Sequence, residues 1–203
     1  MSNLERQLRK VSGIYGILAP IVAFACILLS ILFASSFSWT DNALSDLGIM
    51  PDPTAILFNS GLIVGGLLAI VFAVGLFFFI KDKSVGQVGA LLFIIDCLAL
   101  TGIGVFPENT GSMHLYVSVA FFALFPFSMF LIATYFVLVS RNKIAMFTFL
   151  VSVFAASVWI AEFWIKYVPG VAIPETLSGV ATSLWAVFTS ITVLKTEPRL
   201  NKQ

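Results

Sequence analysis

Apolar residues run through this chain in long unbroken stretches separated by short polar connections. Six such stretches cover residues 11–36, 54–80, 85–105, 113–140, 144–165 and 175–194. A helix needs about 20 apolar residues to cross roughly 30 Å of hydrocarbon, and longer stretches can tilt. None of the six alternates apolar and polar residues as the strands of a membrane β-barrel do. In lipid the backbone must satisfy its own hydrogen bonds, so helices remain. The pattern predicts an all-α fold: an integral membrane bundle of six transmembrane helices forming a single domain over residues 1–203. The connections KDKS and RNK are so short that spans two and three, and four and five, must be antiparallel neighbours. The alternate connections, SFSWTDNALSDLGIMPDP, FPENTGS and KYVPGVAIP, are longer and richer in polar side chains, so function is expected on their side.

Composition narrows the class further. Hydrophobic residues make up 60% of the chain, charged residues 10%, and the mean hydropathy is +1.05. A soluble domain has an apolar share of about half and a charged share of about a quarter, and a disordered chain has the opposite balance. The net charge of +1 hides a polarised distribution. Arg6, Arg9, Lys10, Lys81, Lys83, Arg141, Lys143, Lys195, Arg199 and Lys202 fall on one side, with Lys166 the exception, while Asp41, Asp46, Asp52, Glu108 and Glu175 fall on the other. By the positive-inside rule both termini are cytoplasmic, in a multi-pass protein of the cell membrane. The basic face reads as a topology signal and a contact for anionic membrane lipid rather than a nucleic-acid surface. The first apolar stretch is longer than the h-region of a cleaved signal, so it is expected to stay as a span. Cys26 and Cys97 lie inside spans and are expected as free thiols. One His and two scattered Cys give no zinc cluster, and neither a metal nor another cofactor is expected.

Small residues and prolines give packing signals. Gly61, Gly65, Ala69 and Ala73 recur every four residues, a smooth ridge for close helix approach, either as a seam inside the bundle or as a face for a partner helix. Pro20 and Pro126 each free a carbonyl inside a span. Trp39, Tyr116, Trp164 and Tyr167 sit where amphipathic rings anchor a bundle in the headgroup zone.

Few residues can carry chemistry. Asp96 lies nine residues inside its span, roughly 13 Å deep at 1.5 Å per residue. With no Lys or Arg at that depth, its carboxyl is protonated, hydrogen-bonded or facing a wet cavity. Glu162 sits about one turn from the end of span five, where Lys166 at i+4 can pair with it. His114, the lone histidine, opens span four. It serves either as an interfacial anchor or as the imidazole of an acidic pocket built with Asp46, Asn59, Asp96, Glu108 and Glu162. In NALSDLG, Ser45 and Asp46 suit a cap, Gly48 suits a left-handed stop, and Leu44 and Leu47 favour folding back onto the bundle.

NALSDLGIMPDPTAILFNSGLIVGG followed by GIGVFPENTGSMHLYVSVAFF resembles the prokaryotic membrane proteins grouped as domain of unknown function 998. The matching positions are Ser45, Asp46, Leu47 and Gly48; Phe58, Asn59, Gly61 and Leu62; Gly104, Phe106 and Pro107; and His114. A more distant similarity runs to the Frag, DRAM and Sfk-type six-span proteins, which implies a role connected with lipid but no reaction. Three readings follow. The first is binding or organising lipid through an outer pocket of Ser45, Asp46, Asn59, Asp96 and His114. The second is an intramembrane lipid hydrolase or transferase, with His114 as base, Asp46 or Asp96 orienting it and Ser45 as nucleophile. The third is a small proton- or cation-coupled transporter built on Asp96 and Glu162, although the halves 1–100 and 101–203 show no repeat.

Overall fold

A computed structural model describes residues 3–80 and 82–195 of the chain; Lys81, Arg199 and Lys202 of the basic face lie outside the described residues. Six helices carry the fold: α1 (Asn3–Phe33), α2 (Thr54–Phe79), α3 (Ser84–Val105), α4 (Ser112–Leu138), α5 (Asn142–Ile165) and α6 (Ala172–Lys195). Each is long and apolar enough to cross a membrane, and the described residues hold no strand. The chain is therefore an integral membrane protein of six helices. The first helix stops at Phe33, three residues before its apolar stretch ends, because Ala34 and Phe37 turn back to bond the carbonyls of Ile31 and Ala34.

Consecutive helices pack side by side and α6 returns to α1, closing a ring. At one end of the ring Gly13 faces Leu194 and Gly16 faces Ser190, so the first and last helices share what we term the terminal face. At the other end, the loop face, the amides of Gly170, Val171 and Ala172 donate to the carbonyls of Thr40 and Asn42 at 2.7, 3.1 and 2.9 Å. A Cβ at Gly170 would lie 2.5 Å from the Asn42 carbonyl oxygen, so only glycine lets the two loops meet.

Lipid tails are as apolar as the side chains, so the bundle is held by close packing rather than by a hydrophobic drive. The small-residue ridge of α2 shows how. Positions four apart on an α-helix drift by about 40° per step, so three steps turn the ridge by about 120°. Accordingly Gly61 and Gly65 face α1, where added Cβ atoms would lie 2.2 Å from Cys26 and 2.9 Å from Ala23. Ala69 lines a central cavity, and Ala73 is fully buried in an aromatic core. That core surrounds Trp185, whose ring meets Phe93, Phe72 and Phe125 at centroid distances of 5.1, 6.1 and 6.3 Å. Its indole N–H donates to the Thr148 hydroxyl at 3.0 Å, which removes the cost of burying the polar atom. A second apolar cluster, with Leu47 fully buried against Phe58, Leu62 and Ile103, supports the loop face. Cys26 and Cys97 are free thiols.

Candidate functional site

A short 3₁₀ helix, Leu44–Ile49, folds back onto the loop face with Leu44, Ser45 and Leu47 buried. Its first turn is fixed by Asp46, whose Oδ2 accepts the Ala43 amide at 3.0 Å and the Asn42 side-chain amide at 2.6 Å. The Leu44 amide donates to Glu175 Oε2 at 2.6 Å, tying the segment to the first turn of α6. Asn59 of α2 donates to the Gly48 carbonyl at 2.9 Å. The expected left-handed stop at Gly48 does not occur: Gly111 is the glycine with positive φ among the described residues. A Cβ at position 48 would lie 2.6 Å from Asn59 Oδ1, so a larger residue there displaces the Asn59 side chain.

The carboxyls of Asp46 and Glu108 meet at this point. Burial, together with the hydrogen bond and charge of Asp46, pushes Glu108 up to about 7. Burial also opposes ionisation of Asp46, but hydrogen bonds from Glu108, Asn42 and the Ala43 amide outweigh it and hold Asp46 below its ordinary value. Below about pH 7 Glu108 therefore keeps its proton beside an ionised Asp46. This joins the 108–110 turn to the Leu44–Ile49 segment.

His114 is buried in the first turns of α4. Its Nδ1 lies 2.8 Å from the Phe106 carbonyl oxygen, and its Nε2 lies 3.3 Å from Ser118 Oγ. A carbonyl can only accept, so Nδ1 carries the proton and Nε2 accepts from Ser118. The expected pairing of His114 with Ser45 gives way to Ser118, because residues four apart on a helix face each other.

The central cavity, of about 120 Å³, runs down the ring between α1, α2, α3, α4 and α6, with α5 excluded. Ser45 and Leu44 line its mouth with Glu175, and Ser118 lines its wall beneath them. Asp96 also lines the wall; it is 1% exposed and neither carboxyl oxygen has a hydrogen-bond partner among the described residues. Counting along the helices at about 1.5 Å per residue, Glu175 lies roughly 5 Å, Asp96 roughly 13 Å and Phe72 roughly 27 Å below the loop-face helix ends. Below Asp96 the walls are Gly16, Ala19, Ala69, Phe72, Phe93 and Ala186. Thr182 and Ser183 also line the wall, at roughly 15–17 Å by the same count, so the scattered polar groups reach from the mouth to just below Asp96 and only roughly the last 10 Å is purely apolar. Pro20 and Pro126 lack the N–H that would bond the carbonyls of Gly16 and Phe122, and both of those residues line the cavity.

Of the residues singled out in the sequence, Ser45 and Asp96 share the cavity. Asp46, Asn59 and Glu108 build its lid without lining it, and His114 stands behind Ser118. Glu162 is buried on α5, away from the cavity, with Oε2 unpartnered. The expected Glu162–Lys166 pair is not formed among the described residues. The helix ends at Ile165, and although the Lys166 amide still bonds the Glu162 carbonyl, its left-handed φ of 48 turns the side chain out of the helical direction. Sequence reasoning missed Ser118, legible as the i+4 neighbour of His114, and Glu175, the carboxyl in the first turn of span six. Among the described residues no three His, Cys, Asp or Glu side chains converge as metal ligands.

Among curated proteins and among solved structures, none matches this chain. The family described as protein of unknown function DUF998 matches residues 17–192, from the first span through the sixth, and the chain belongs to that family.

Proposed function

We propose that this protein binds a membrane-dissolved amphiphile in its central cavity, with the polar end between Glu175 and Asp96 and the chain directed toward the terminal face. The observation that carries this reading is the graded wall: Ser45, Ser118, Asp96, Glu175, Thr182 and Ser183 from the mouth to just below Asp96, and small and aromatic residues beneath them. Ligand cavities of this kind, largely apolar with a few placed polar groups, bury most of a ligand and orient it by the polar ones. The lid segment fits the same role, since bonds from Asp46, Asn59 and Glu175 fix it over the mouth. The charge distribution supports the cell membrane as its location, with the terminal face cytoplasmic. Native mass spectrometry in mild detergent tests the reading. Wild type should retain a specific lipid-like species, and Leu100→Trp, which fills the cavity wall, should lose it. Equal retention by both proteins would remove the cavity as the site.

A second reading rests on the Ser118–His114 pair. A serine on a cavity wall, hydrogen-bonded to an imidazole oriented through its other nitrogen, has the parts of a nucleophile and its base. Labelling by a fluorophosphonate probe that disappears in Ser118→Ala would support acyl transfer; an unlabelled wild type would remove it.

A further inference from the structure

The chemistry of the cavity wall narrows what can occupy it. Asp96 is buried with both carboxyl oxygens unpartnered, and a buried polar group without a partner costs about 1–3 kcal/mol. Its missing partner must come from the cavity that it lines. Among the described residues no Lys, Arg or His lines that cavity, and its acidic groups are Asp96 and Glu175. A phosphate or carboxylate head would therefore enter beside two carboxyls with no counter-charge. A plain hydrocarbon chain would leave Asp96 unpaired. A group that only donates hydrogen bonds fits, and an ammonium offers N–H donors and no acceptor.

The remaining wall favours positive charge as well. Six phenylalanines line the cavity, among them Phe93, one turn from Asp96 on α3, and Phe121 and Phe122 on α4. Ring faces attract a cation, most strongly where water is excluded. Below Ser183 the wall is apolar for roughly 10 Å, which holds a short tail.

We propose that the occupant is an aliphatic ammonium amphiphile whose N–H groups donate to Asp96 while its chain fills the lower half of the cavity. This rests on reading the cavity as an amphiphile site. Asp96 is then a binding residue, and Glu175 at the mouth is engaged by the Leu44 amide of the lid.

Binding of octylamine, octanol and octanoate to the full chain in phosphatidylcholine nanodiscs, corrected with empty nanodiscs, tests the proposal at neutral pH. All three carry the same tail and differ in the head. A charge-assisted hydrogen bond is worth about 1.5–3 kcal/mol, so octylamine should bind roughly tenfold or more tighter than octanol. Octanoate should bind weakest. Asp96→Asn should remove the preference for the amine, while Asp96→Glu should keep most of it. Should Asp96→Asn not fold, the wild-type series alone decides. Saturable binding with octanol equal to octylamine would overturn the ammonium assignment and leave the amphiphile cavity standing. No saturable binding of any of the three, or binding unchanged in Leu100→Trp, would overturn both.

Discussion

Replacing His114 by alanine tests how far its imidazole holds the loop face together. The imidazole makes two bonds, one to the Phe106 carbonyl at 2.8 Å and one to Ser118 at 3.3 Å, from a buried position. The first ties the 105–111 turn, which carries Glu108, to the start of α4. Each bond contributes about 0.5–1.5 kcal/mol, and stranding the carbonyl adds to the loss, so His114→Ala should cost about 2–3 kcal/mol. For a chain of this length that is a fall of about 5–10 °C in melting temperature. His114→Asn is the informative partner. Its side-chain amide nitrogen can stand near the position of Nδ1, keeping the Phe106 bond and losing Ser118, for a cost of about 1 kcal/mol. Thermal unfolding in detergent, followed by intrinsic tryptophan fluorescence, reads both variants. If His114→Ala melts within about 1 °C of wild type, the imidazole bonds hold nothing. If His114→Asn falls as far as His114→Ala, the stabilising bond is not the one at Nδ1.

The Glu108 proton at the lid gives stability a pH dependence. Glu108 rises from 4.5 to about 7 on folding, so between those values the folded state holds a proton that the unfolded chain has lost, and stability falls as pH rises. After discounting for the exposed part of the side chain, the loss is about 1–2 kcal/mol across that window; Glu108→Gln should flatten the melting-temperature profile there and melt higher than wild type at pH 8. Gly61→Leu forces a side chain into Cys26 across the α1–α2 seam, where a Cβ alone would stand 2.2 Å from the Cys26 Cβ, and should cost about 3 kcal/mol or yield no folded protein by size-exclusion chromatography. Gly170→Val should break the contact between the first and last long loops and increase amide exchange in the 40–49 segment, while Gly111→Ala, at a position with nothing nearby, should cost only the strain of φ 65 and leave that segment protected. Equal exchange in both would detach the lid from the Gly170 contact.

The six helices were legible because each apolar stretch is long enough to span hydrocarbon and none alternates as a barrel strand would, which leaves the helix as the backbone arrangement that satisfies its own hydrogen bonds there. Their ends were less so. The stretch 11–36 has no charged residue to mark its end, and the stop after Phe33 depends on turn bonds at Ala34 and Phe37. Asp96 was legible by depth alone, as an acid about 13 Å inside a span. Its neighbours were not, because a cavity is made by five helices at once, and the ring closure that brings α6 beside α1 leaves no local pattern. Ser45 and Asp46 are adjacent in sequence yet divide their work: Ser45 faces the cavity and Asp46 the loops. The reason for Gly48 was legible only as a turn, since its crowding against Asn59 comes from a different helix.

The central claim is that an amphiphile occupies the cavity between the lid and the aromatic core. An experimental density map of the protein in a lipid nanodisc, with a rigid binder as fiducial, addresses it directly. The account expects continuous density starting beside Asp96 and running past Ala69 to Phe72. Isolated water-like peaks around Asp96, or walls collapsed onto one another with no density between them, would contradict it.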